Sequence, residues 1–146
     1  MMDNHGLVSS DCYSYKAKDS ECPMSCEVTR DWAHDHKCEC TKVRTCIGAD
    51  QMKACLQSGP ITMAFDLCES FYNYKKGVYE CDCAEPMGRH SADCVGYRDD
   101  DKDCYWIVKN TWGLNFGEFG YVRFDCDSCG IESGHVNANF MCEEII

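Results

Sequence analysis

Residues 105–113 have the sequence YWIVKNTWG, and this stretch decides the fold of the region around it. Its aromatic and β-branched residues predict a β-strand, and its final glycine predicts a turn. The strand therefore delivers Asn110 and Trp112 to a glycine-rich loop. A second strand is predicted over residues 91–97, and His90 comes directly before it.

The polar segment 98–102, RDDDK, lies between these two strands and predicts a hairpin loop. If the strands pair symmetrically about this loop, the residue numbers of two opposed residues add up to about 200. His90 then faces Asn110, and Cys94 faces Trp106. Directly opposed Cβ atoms lie roughly 4.5–5.5 Å apart, which allows a hydrogen bond between His90 and Asn110. A slip of one residue would place the two side chains on opposite faces of the sheet.

The rest of the chain predicts an α+β fold with an antiparallel sheet in its second half. Residues 50–58 and 67–72 have apolar positions at helical spacing. Residues 61–65 and 120–124 are further strand candidates. Residues 1–48 are polar and rich in cysteine, which predicts loops and short strands held by disulfides.

The composition limits the classes of protein to which the chain can belong. A chain of 146 residues with 45% apolar residues can form one domain with a core. A net charge of -11 argues against binding to nucleic acid or to an anionic membrane surface, and no apolar run is long enough to span a membrane. The 15 cysteines indicate an oxidising compartment, either lysosomal, vacuolar or extracellular. Because residues 1–6 are not a signal peptide, we expect a processed chain or a start further upstream.

The pair of His90 and Asn110 suggests a particular chemistry. An imidazole oriented by an amide oxygen can take the proton of a thiol and later donate it to a leaving amine. Trp112 lies two positions after Asn110, where it can shield the hydrogen bond between the pair from water. A histidine before a strand is also a common surface residue, and the residue pattern alone leaves both interpretations open.

The order of the motifs resembles the papain family of cysteine peptidases. Five segments, spread from Gly6 to Asn137, carry the resemblance. They are GLV with YSYKA at 6–8 and 13–17, GPITMAF with FYNYKKGVY at 59–65 and 71–79, HSADCVGY at 90–97, YWIVKNTWG with GEFGY at 105–113 and 117–121, and CGIES at 129–133, the last of which is similar to the cathepsin B and cathepsin C branches.

This resemblance implies a papain-like fold and assigns roles to three residues. His90 is implied as the catalytic histidine, Asn110 as its orienting asparagine and Trp112 as the residue that covers their contact. The nucleophilic cysteine and the oxyanion-hole glutamine of the family have no counterpart in this sequence. We therefore expect residues 1–146 to be the C-terminal part of a single papain-like domain. This part would hold mainly the antiparallel, barrel-like half with short helices, without the helical half that carries the nucleophile.

The resemblance also implies positions for substrate binding. Ala64, Ser91 and Gly134 are implied around the main specificity pocket, and their small size predicts a roomy pocket for apolar side chains. Phe116 stands where the family usually has a second tryptophan, on the side that binds the leaving group. Gly134 stands where cathepsin B has a glutamate, so a preference for arginine is not expected.

The cysteines have several possible roles. The resemblance implies a disulfide from Cys83, or alternatively from Cys81, to Cys129. Cys22 matches a family cysteine whose partner lies upstream, which explains the odd count. Extra local bridges are expected among Cys12, Cys26, Cys38, Cys40, Cys46 and Cys55, while Cys68, Cys94 and Cys104 remain open between free thiols and bridges. A zinc site of four thiolates at Cys81, Cys83, Cys126 and Cys129 is an alternative.

The function implied by the resemblance is hydrolysis of peptide bonds by Cys-His-Asn chemistry. This chain would supply the histidine and asparagine, act on peptide or protein substrates only with the missing N-terminal half, and need no cofactor or metal. The alternative is a secreted, non-catalytic, cysteine-rich homologue that binds partners through the retained half of the cleft.

Overall fold

The structure is a computed structural model that describes residues 10–19, 37–132 and 137–145. The labels used below number its helices and strands in chain order. They are β1 (Lys37–Cys46), α1 (Gly48–Leu56), β2 (Ile61–Leu67), the 3₁₀ helix η1 (Glu69–Asn73), β3 (Val78–Tyr79), β4 (Gly88–Asp99), β5 (Cys104–Lys109), β6 (Tyr121–Asp125) and β7 (Asn137–Ile145).

The strands form one seven-stranded sheet in the order β1-β7-β2-β4-β5-β6-β3. The pairs β7–β2, β2–β4, β4–β5 and β5–β6 are antiparallel, whereas β3 runs parallel to β6. The expected α+β class is confirmed. Within the described residues the edge strands β1 and β3 do not pair with each other, so the sheet does not close into the expected barrel. None of the described helices is both long and apolar enough to cross a membrane.

Contacts divide the chain into two compact units. One unit comprises Met1–Lys42 with Met141–Ile146, and the other comprises Val43–Phe140. The second unit contains β2 to β6, and it holds every described residue to which the sequence assigns a functional role.

Alternating apolar residues build the core of the second unit, because successive side chains of a strand point to opposite faces. Cys94 of β4 pairs with Ile61 of β2 and with Val108 of β5, and Val108 pairs in turn with Val122 of β6. All four side chains are fully buried. Burial of each large apolar side chain contributes about 1.5–3 kcal/mol to stability. This row of four buried side chains, one on each of four neighbouring strands, therefore determines which face of the sheet is internal.

The predicted hairpin between β4 and β5 is confirmed, and Asp100 organises its loop. The Asp100 carboxylate accepts hydrogen bonds from the backbone N–H groups of Lys102 and Asp103 at 3.0 and 3.1 Å. It also forms an ion pair with Arg98 at 2.6 Å. Asp and Asn favour such turns because their side chains can bond to the backbone that follows them.

Two predicted elements differ in type or length from those observed. The helix expected over residues 67–72 is a 3₁₀ helix over Glu69–Asn73. It starts later because Cys68 is extended and bonded by a disulfide, so the helix begins only after this anchor. In the cysteine-rich region 1–48, β1 is a strand of ten residues and not a short one. Much of the remainder of that region lies outside the described residues.

Candidate active site

His90 lies near the start of β4, where this strand pairs with β2. Its partner in the ladder is Phe65, which is fully buried. The edge of one ring meets the face of the other, with centroids 5.3 Å apart and planes at 84°. One side of the imidazole therefore rests on the aromatic core, and the ring as a whole is half-buried.

Asn110 follows the last residue of β5 and is buried, with 7% of its surface exposed. Its backbone N–H donates to Gly120 O at 2.9 Å. Its side-chain Oδ1 lies 2.9 Å from His90 Nε2 and also accepts the Thr111 N–H at 2.9 Å. Because a backbone N–H can only donate, the Thr111 contact identifies this atom as the amide oxygen.

The orientation of this amide determines the state of the imidazole. An amide oxygen only accepts, so His90 Nε2 must donate and carry the proton. In the neutral ring the lone pair then resides on Nδ1. Within the described residues, Nδ1 has no hydrogen-bond partner, so it is available to exchange a proton with a reacting group.

The hydrogen bond predicted between His90 and Asn110 is present, but the predicted register was wrong. Cys94 pairs with Val108 and not with Trp106, and Trp106 pairs with Tyr97. Opposed positions therefore sum to 202 before the irregularity between Cys94 and Gly96, and to 203 after it. The hairpin loop lies at residues 100–103, later than predicted, because Asp99 pairs with Cys104 and this sets the sum of 203 next to the loop. A β-bulge on β4, which adds one unpaired residue, then changes the sum to 202 toward His90.

Trp112 packs against the ring of His90. Its ring centroid lies 5.1 Å from that of His90, with the planes inclined at 32°. The edges of Phe71 and Phe116 meet the indole at 5.3 and 4.9 Å. Exclusion of water strengthens a hydrogen bond, and the face of an indole attracts a protonated imidazole.

Asn110 Nδ2 is buried and has no hydrogen-bond partner in the described part of the chain. An unpaired buried donor costs about 1–3 kcal/mol. Buried polar groups without a partner are uncommon in folded proteins, so this donor makes the surroundings of His90 unusual.

A glycine-rich turn connects Asn110 to β6 and holds Trp112 in place. Gly117 and Gly120 have positive φ angles of 55° and 88°. The N–H of Phe116 donates to Gly113 O at 3.3 Å, and that of Gly120 donates to Phe116 O at 2.8 Å. A Cβ on Gly117 would lie 2.5 Å from Tyr121 O, so this position has no room for a side chain.

An ion pair closes the same turn from the other side. Arg123 of β6 binds both carboxylate oxygens of Glu118, at 2.9 and 2.6 Å. Glu118 also accepts the N–H of Gly77 at 3.2 Å, which joins the turn to the segment before β3. The Arg123 guanidinium lowers the pKa of the Glu118 carboxyl below its usual range. A bidentate geometry of this kind is the strong form of an ion pair.

The positions expected to bind substrate occupy two places. Ala64 and Ser91 are paired partners of β2 and β4. Strand alternation puts them on the face of the sheet opposite to Phe65 and His90. Phe116 is buried in the turn beneath Trp112. Gly134 lies outside the described residues.

The structure corrects the expected disulfide. Cys129 pairs with Cys81, the alternative partner, and Cys83 pairs with Cys68 instead. The Asp66 N–H donates to Cys129 O at 2.9 Å, so the bridge lies beside the end of β2. Cys68 directly follows β2 and has Cys83 within reach, which leaves Cys81 for Cys129.

The other described cysteines also differ in state. Cys46 bonds with Cys55, as one of the expected local bridges, and Cys104 bonds with Cys126. Cys12 is disulfide-bonded as well. The structure thus resolves Cys68 and Cys104 as bridges. The alternative zinc site is ruled out as well, because all four of its proposed ligands are in disulfides: Cys81, Cys83, Cys126 and Cys129. The side chains of Cys22, Cys26, Cys38 and Cys40 lie outside the described residues.

Cys94 is the free thiol of the described residues, and it is fully buried in the core. Burial raises its pKa to about 12. A thiol acts as a nucleophile only as the thiolate, so Cys94 is inert at neutral pH. No described cysteine therefore serves as a nucleophile for His90.

The residue pattern did not reveal two side-chain contacts, one at the site and one in the core. Tyr72 stacks on Trp112 with centroids 5.2 Å apart and planes at 9°. The sequence assigned it no role beyond the apolar positions of 67–72 and the family-like segment 71–79. Glu132 accepts the indole N–H of Trp106 at 3.0 Å. The sequence drew attention to Glu132 only as part of the CGIES segment, and this segment did not indicate that Trp106 is its partner.

The comparison with known proteins agrees with this geometry. A sequence model of the papain family, described as papain family cysteine protease, matches residues 1–139. The chain belongs to the papain family of cysteine proteases.

Within this family the chain is similar to proteins of the cathepsin type. It is 35% identical over 145 residues to "Cathepsin B-like CP3" of Giardia intestinalis, which covers 92% of the chain and 48% of that relative. It is 33% identical over 138 residues to cathepsin S of Bos taurus, which covers 90% of the chain and 40% of that relative. The chain therefore spans less than half the length of these relatives.

Solved structures confirm the papain-like fold. The procathepsin B S9 structure from Trypanosoma congolense matches with a TM-score of 0.80 and 25% identity, over 96% of this chain and 50% of that one. The bromelain protease of Ananas comosus, solved in complex with the E64 inhibitor, matches with a TM-score of 0.74 and 29% identity, over 96% of this chain and 65% of that one.

Proposed function

We propose that this chain supplies the general base and its orienting amide to a papain-like cysteine peptidase. The observation that carries the proposal is the hydrogen bond from His90 Nε2 to Asn110 Oδ1 at 2.9 Å, under the indole of Trp112. The nucleophilic thiol would come from a segment outside this sequence, in the N-terminal half of the same domain.

The proposed reaction uses the unpaired nitrogen of His90. Nδ1 takes the proton of the thiol, and the resulting thiolate attacks the carbonyl carbon of the peptide bond. The imidazolium then gives this proton to the leaving nitrogen, so that an amine departs and a thioester remains. A water molecule, deprotonated by Nδ1, hydrolyses the thioester to a carboxylic acid and restores the thiol. Throughout the cycle Asn110 accepts from Nε2 in both charge states of the ring.

A neutral amide suits this role better than a carboxylate would. A carboxylate beside the ring would stabilise the imidazolium on its own and weaken its pairing with the thiolate. Asn110 orients the ring without adding charge, and Trp112 supplies a π face that favours the cation. Both features support thiolate–imidazolium chemistry over simple surface exposure of a histidine.

The substrates would be peptides or proteins. Ala64 and Ser91 are paired small residues next to His90 in the sheet, on its other face, and their size supports a pocket for apolar residues of the substrate at this end of β4. Both positions are fixed by hydrogen bonds, because the Ala64 N–H donates to the buried Asn137 Oδ1 at 3.2 Å and the Ser91 hydroxyl donates to Met63 O at 3.2 Å. The disulfides and the cathepsin relatives support action in a lysosomal, vacuolar or extracellular compartment.

The proposal is tested by an activity comparison between two proteins. The first is this chain alone, and the second is the chain joined to the half-domain encoded directly upstream of it. We expect cleavage of a fluorogenic peptide amide, sensitive to a thiol-directed inhibitor, only from the joined protein. In the joined protein, His90→Gln should lower kcat at least about 10²-fold, since general base catalysis contributes roughly 10²–10⁴-fold.

Arg89→Gln is the matched control, because Arg89 precedes His90 and its side chain is largely exposed. It should retain activity. Inhibitor-sensitive turnover by the chain alone would refute the placement of the nucleophile in another segment. An upstream half with serine or glycine in place of the nucleophile would instead support the non-catalytic binding module.

A further inference from the structure

Three aromatic rings lie in sequential contact at the site. Trp112 is the shared member, because its ring centroid lies 5.1 Å from that of His90 and 5.2 Å from that of Tyr72. The planes of Tyr72 and Trp112 are nearly parallel, at 9°. Tyr72 thus stacks face to face on the same indole that packs against His90.

Trp112 depends on this stack for its position. It is 36% exposed, and within the described residues its indole N–H makes no hydrogen bond, so packing against neighbouring groups, the four aromatic rings among them, positions its side chain. Phe71 and Phe116 touch it only at their edges or at steep angles, 66° and 76°. Without the Tyr72 ring, the indole would lose its near-parallel stacking partner and could tilt more readily away from His90 toward solvent.

Tyr72 itself is held by a covalent anchor. It belongs to η1, which follows Cys68, and Cys68 is bonded to Cys83. The fully packed Phe71 next to it is 1% exposed and points into the core. With its neighbour buried and its helix fixed at one end, the exposed ring of Tyr72 is presented to Trp112 with little conformational freedom.

We propose that Tyr72 is a positioning residue for His90, and that it acts through Trp112. By fixing the indole, it keeps water from the hydrogen bond between His90 Nε2 and Asn110 Oδ1 and holds the imidazole in its productive orientation. The stack uses the ring face and not the hydroxyl, because Tyr72 makes no hydrogen bond to the described residues. The effect of Tyr72 on catalysis rests on the proposed peptidase function. Its effect on the position of Trp112 and His90 does not require a nucleophile.

The shielding of His90 by Tyr72 is measured on this chain by NMR of the His90 Nε2–H proton. The observable is its exchange rate with water in a sample labelled with ¹⁵N-histidine, with the His90→Gln spectrum to assign it. Tyr72→Ala and Tyr72→Leu should raise the exchange rate roughly two- to tenfold, the factor that corresponds to one aromatic pair. Tyr72→Phe should leave it unchanged, because the stacked ring remains.

Tyr121→Leu is the matched control, because it removes a partly exposed tyrosine of β6 that contacts no ring among the described residues. An unchanged exchange rate in Tyr72→Leu would overturn the proposal. So would a Tyr72→Phe variant that exchanges as fast as Tyr72→Ala, because the hydroxyl would then be responsible. Tyr72→Leu keeps apolar volume at the site, so it gives an answer even if Tyr72→Ala loses the native fold.

The catalytic consequence is measured in the joined protein. Tyr72→Leu should lower kcat two- to tenfold with KM unchanged, and Tyr72→Phe should restore the wild-type kcat. A change confined to KM would overturn the positioning role in favour of direct substrate contact. If the joined protein is inactive, the proposed function fails, whereas the NMR comparison still decides whether Tyr72 shields His90.

Discussion

Gly117→Ala is the substitution for which the structure predicts the largest local effect. Two costs combine at this position. A residue with a Cβ costs about 1–2 kcal/mol in the left-handed region, where Gly117 has φ +55°. The new Cβ would also lie 2.5 Å from Tyr121 O and 2.9 Å from the Tyr74 ring. Relief of such overlap by movement of neighbouring groups costs about 1–3 kcal/mol, so the sum is about 2–5 kcal/mol.

Gly113→Ala separates these two costs. Gly113 lies in the same turn with φ +85°, but a Cβ there would meet nothing within 4 Å. Its alanine variant should therefore lose only about 1–2 kcal/mol, the conformational cost. The free energies of unfolding are measured by urea titration of each purified variant with its disulfides intact. If Gly117→Ala were no less stable than Gly113→Ala, the crowding inferred around Gly117 would be refuted.

Three further predictions concern stability and reactivity. Burial raises the pKa of Glu132, so its contribution to stability is full below the ordinary carboxyl pKa and is lost as the pH rises through the raised value. Glu132→Gln should thus leave Tm unchanged in acid and raise it at neutral pH, with the bond to Trp106 retained; a Tm gain in acid alone would contradict this. Cys94 should resist iodoacetamide at neutral pH until urea unfolds the chain, as followed by peptide mapping. The disulfide between Cys81 and Cys129 closes a separation of 48 residues. The double serine variant of these cysteines should lose about 4 kcal/mol of the free energy of unfolding, as measured by urea titration.

The strands around the site were predictable because their residues are locally informative. The pattern of 105–113 is rich in β-branched and aromatic residues, and the structure has β5 at Cys104–Lys109. Gly113 at the end of that stretch correctly marked a turn, and the polar segment 98–102 correctly marked a hairpin loop, which the structure has at 100–103. In each case the preference of a short segment agrees with its place in the fold, which is the situation where sequence patterns succeed.

The disulfide partner of Cys129 was not predictable for a geometrical reason. Cys81 and Cys83 are two positions apart, so in an extended chain they point to the same side. Alternation therefore gives both the same chance of meeting Cys129. The choice is made by Cys68, which takes Cys83 from a distance of 15 residues in the sequence. No local signal encodes such competition.

The role of Tyr72 was hidden for a different reason. Its partner Trp112 is 40 positions away, and the contact requires both the end of η1 and the glycine turn to be in place. An apolar residue in a helical stripe is most often part of a core, and its neighbour Phe71 is indeed buried. Only the three-dimensional arrangement shows that Tyr72 faces outward onto the indole.

The hydrogen bond between His90 and Asn110 was predicted correctly although the predicted register was wrong, because the register at the site was wrong by an even number of residues. Side chains alternate with a period of two, so a shift of the sum from 200 to 202 keeps both residues on the same face. Asn110 becomes a diagonal neighbour of His90 instead of a direct one, at a Cβ separation that is still within reach of long polar side chains, about 7–8 Å. The bulge that makes the later sum odd lies between Cys94 and Gly96, beyond the site. Without this bulge the sum of 203 would continue to His90, so Asn110 would face Asp93. The imidazole and the amide would then point to opposite faces of the sheet, and the pair could not form.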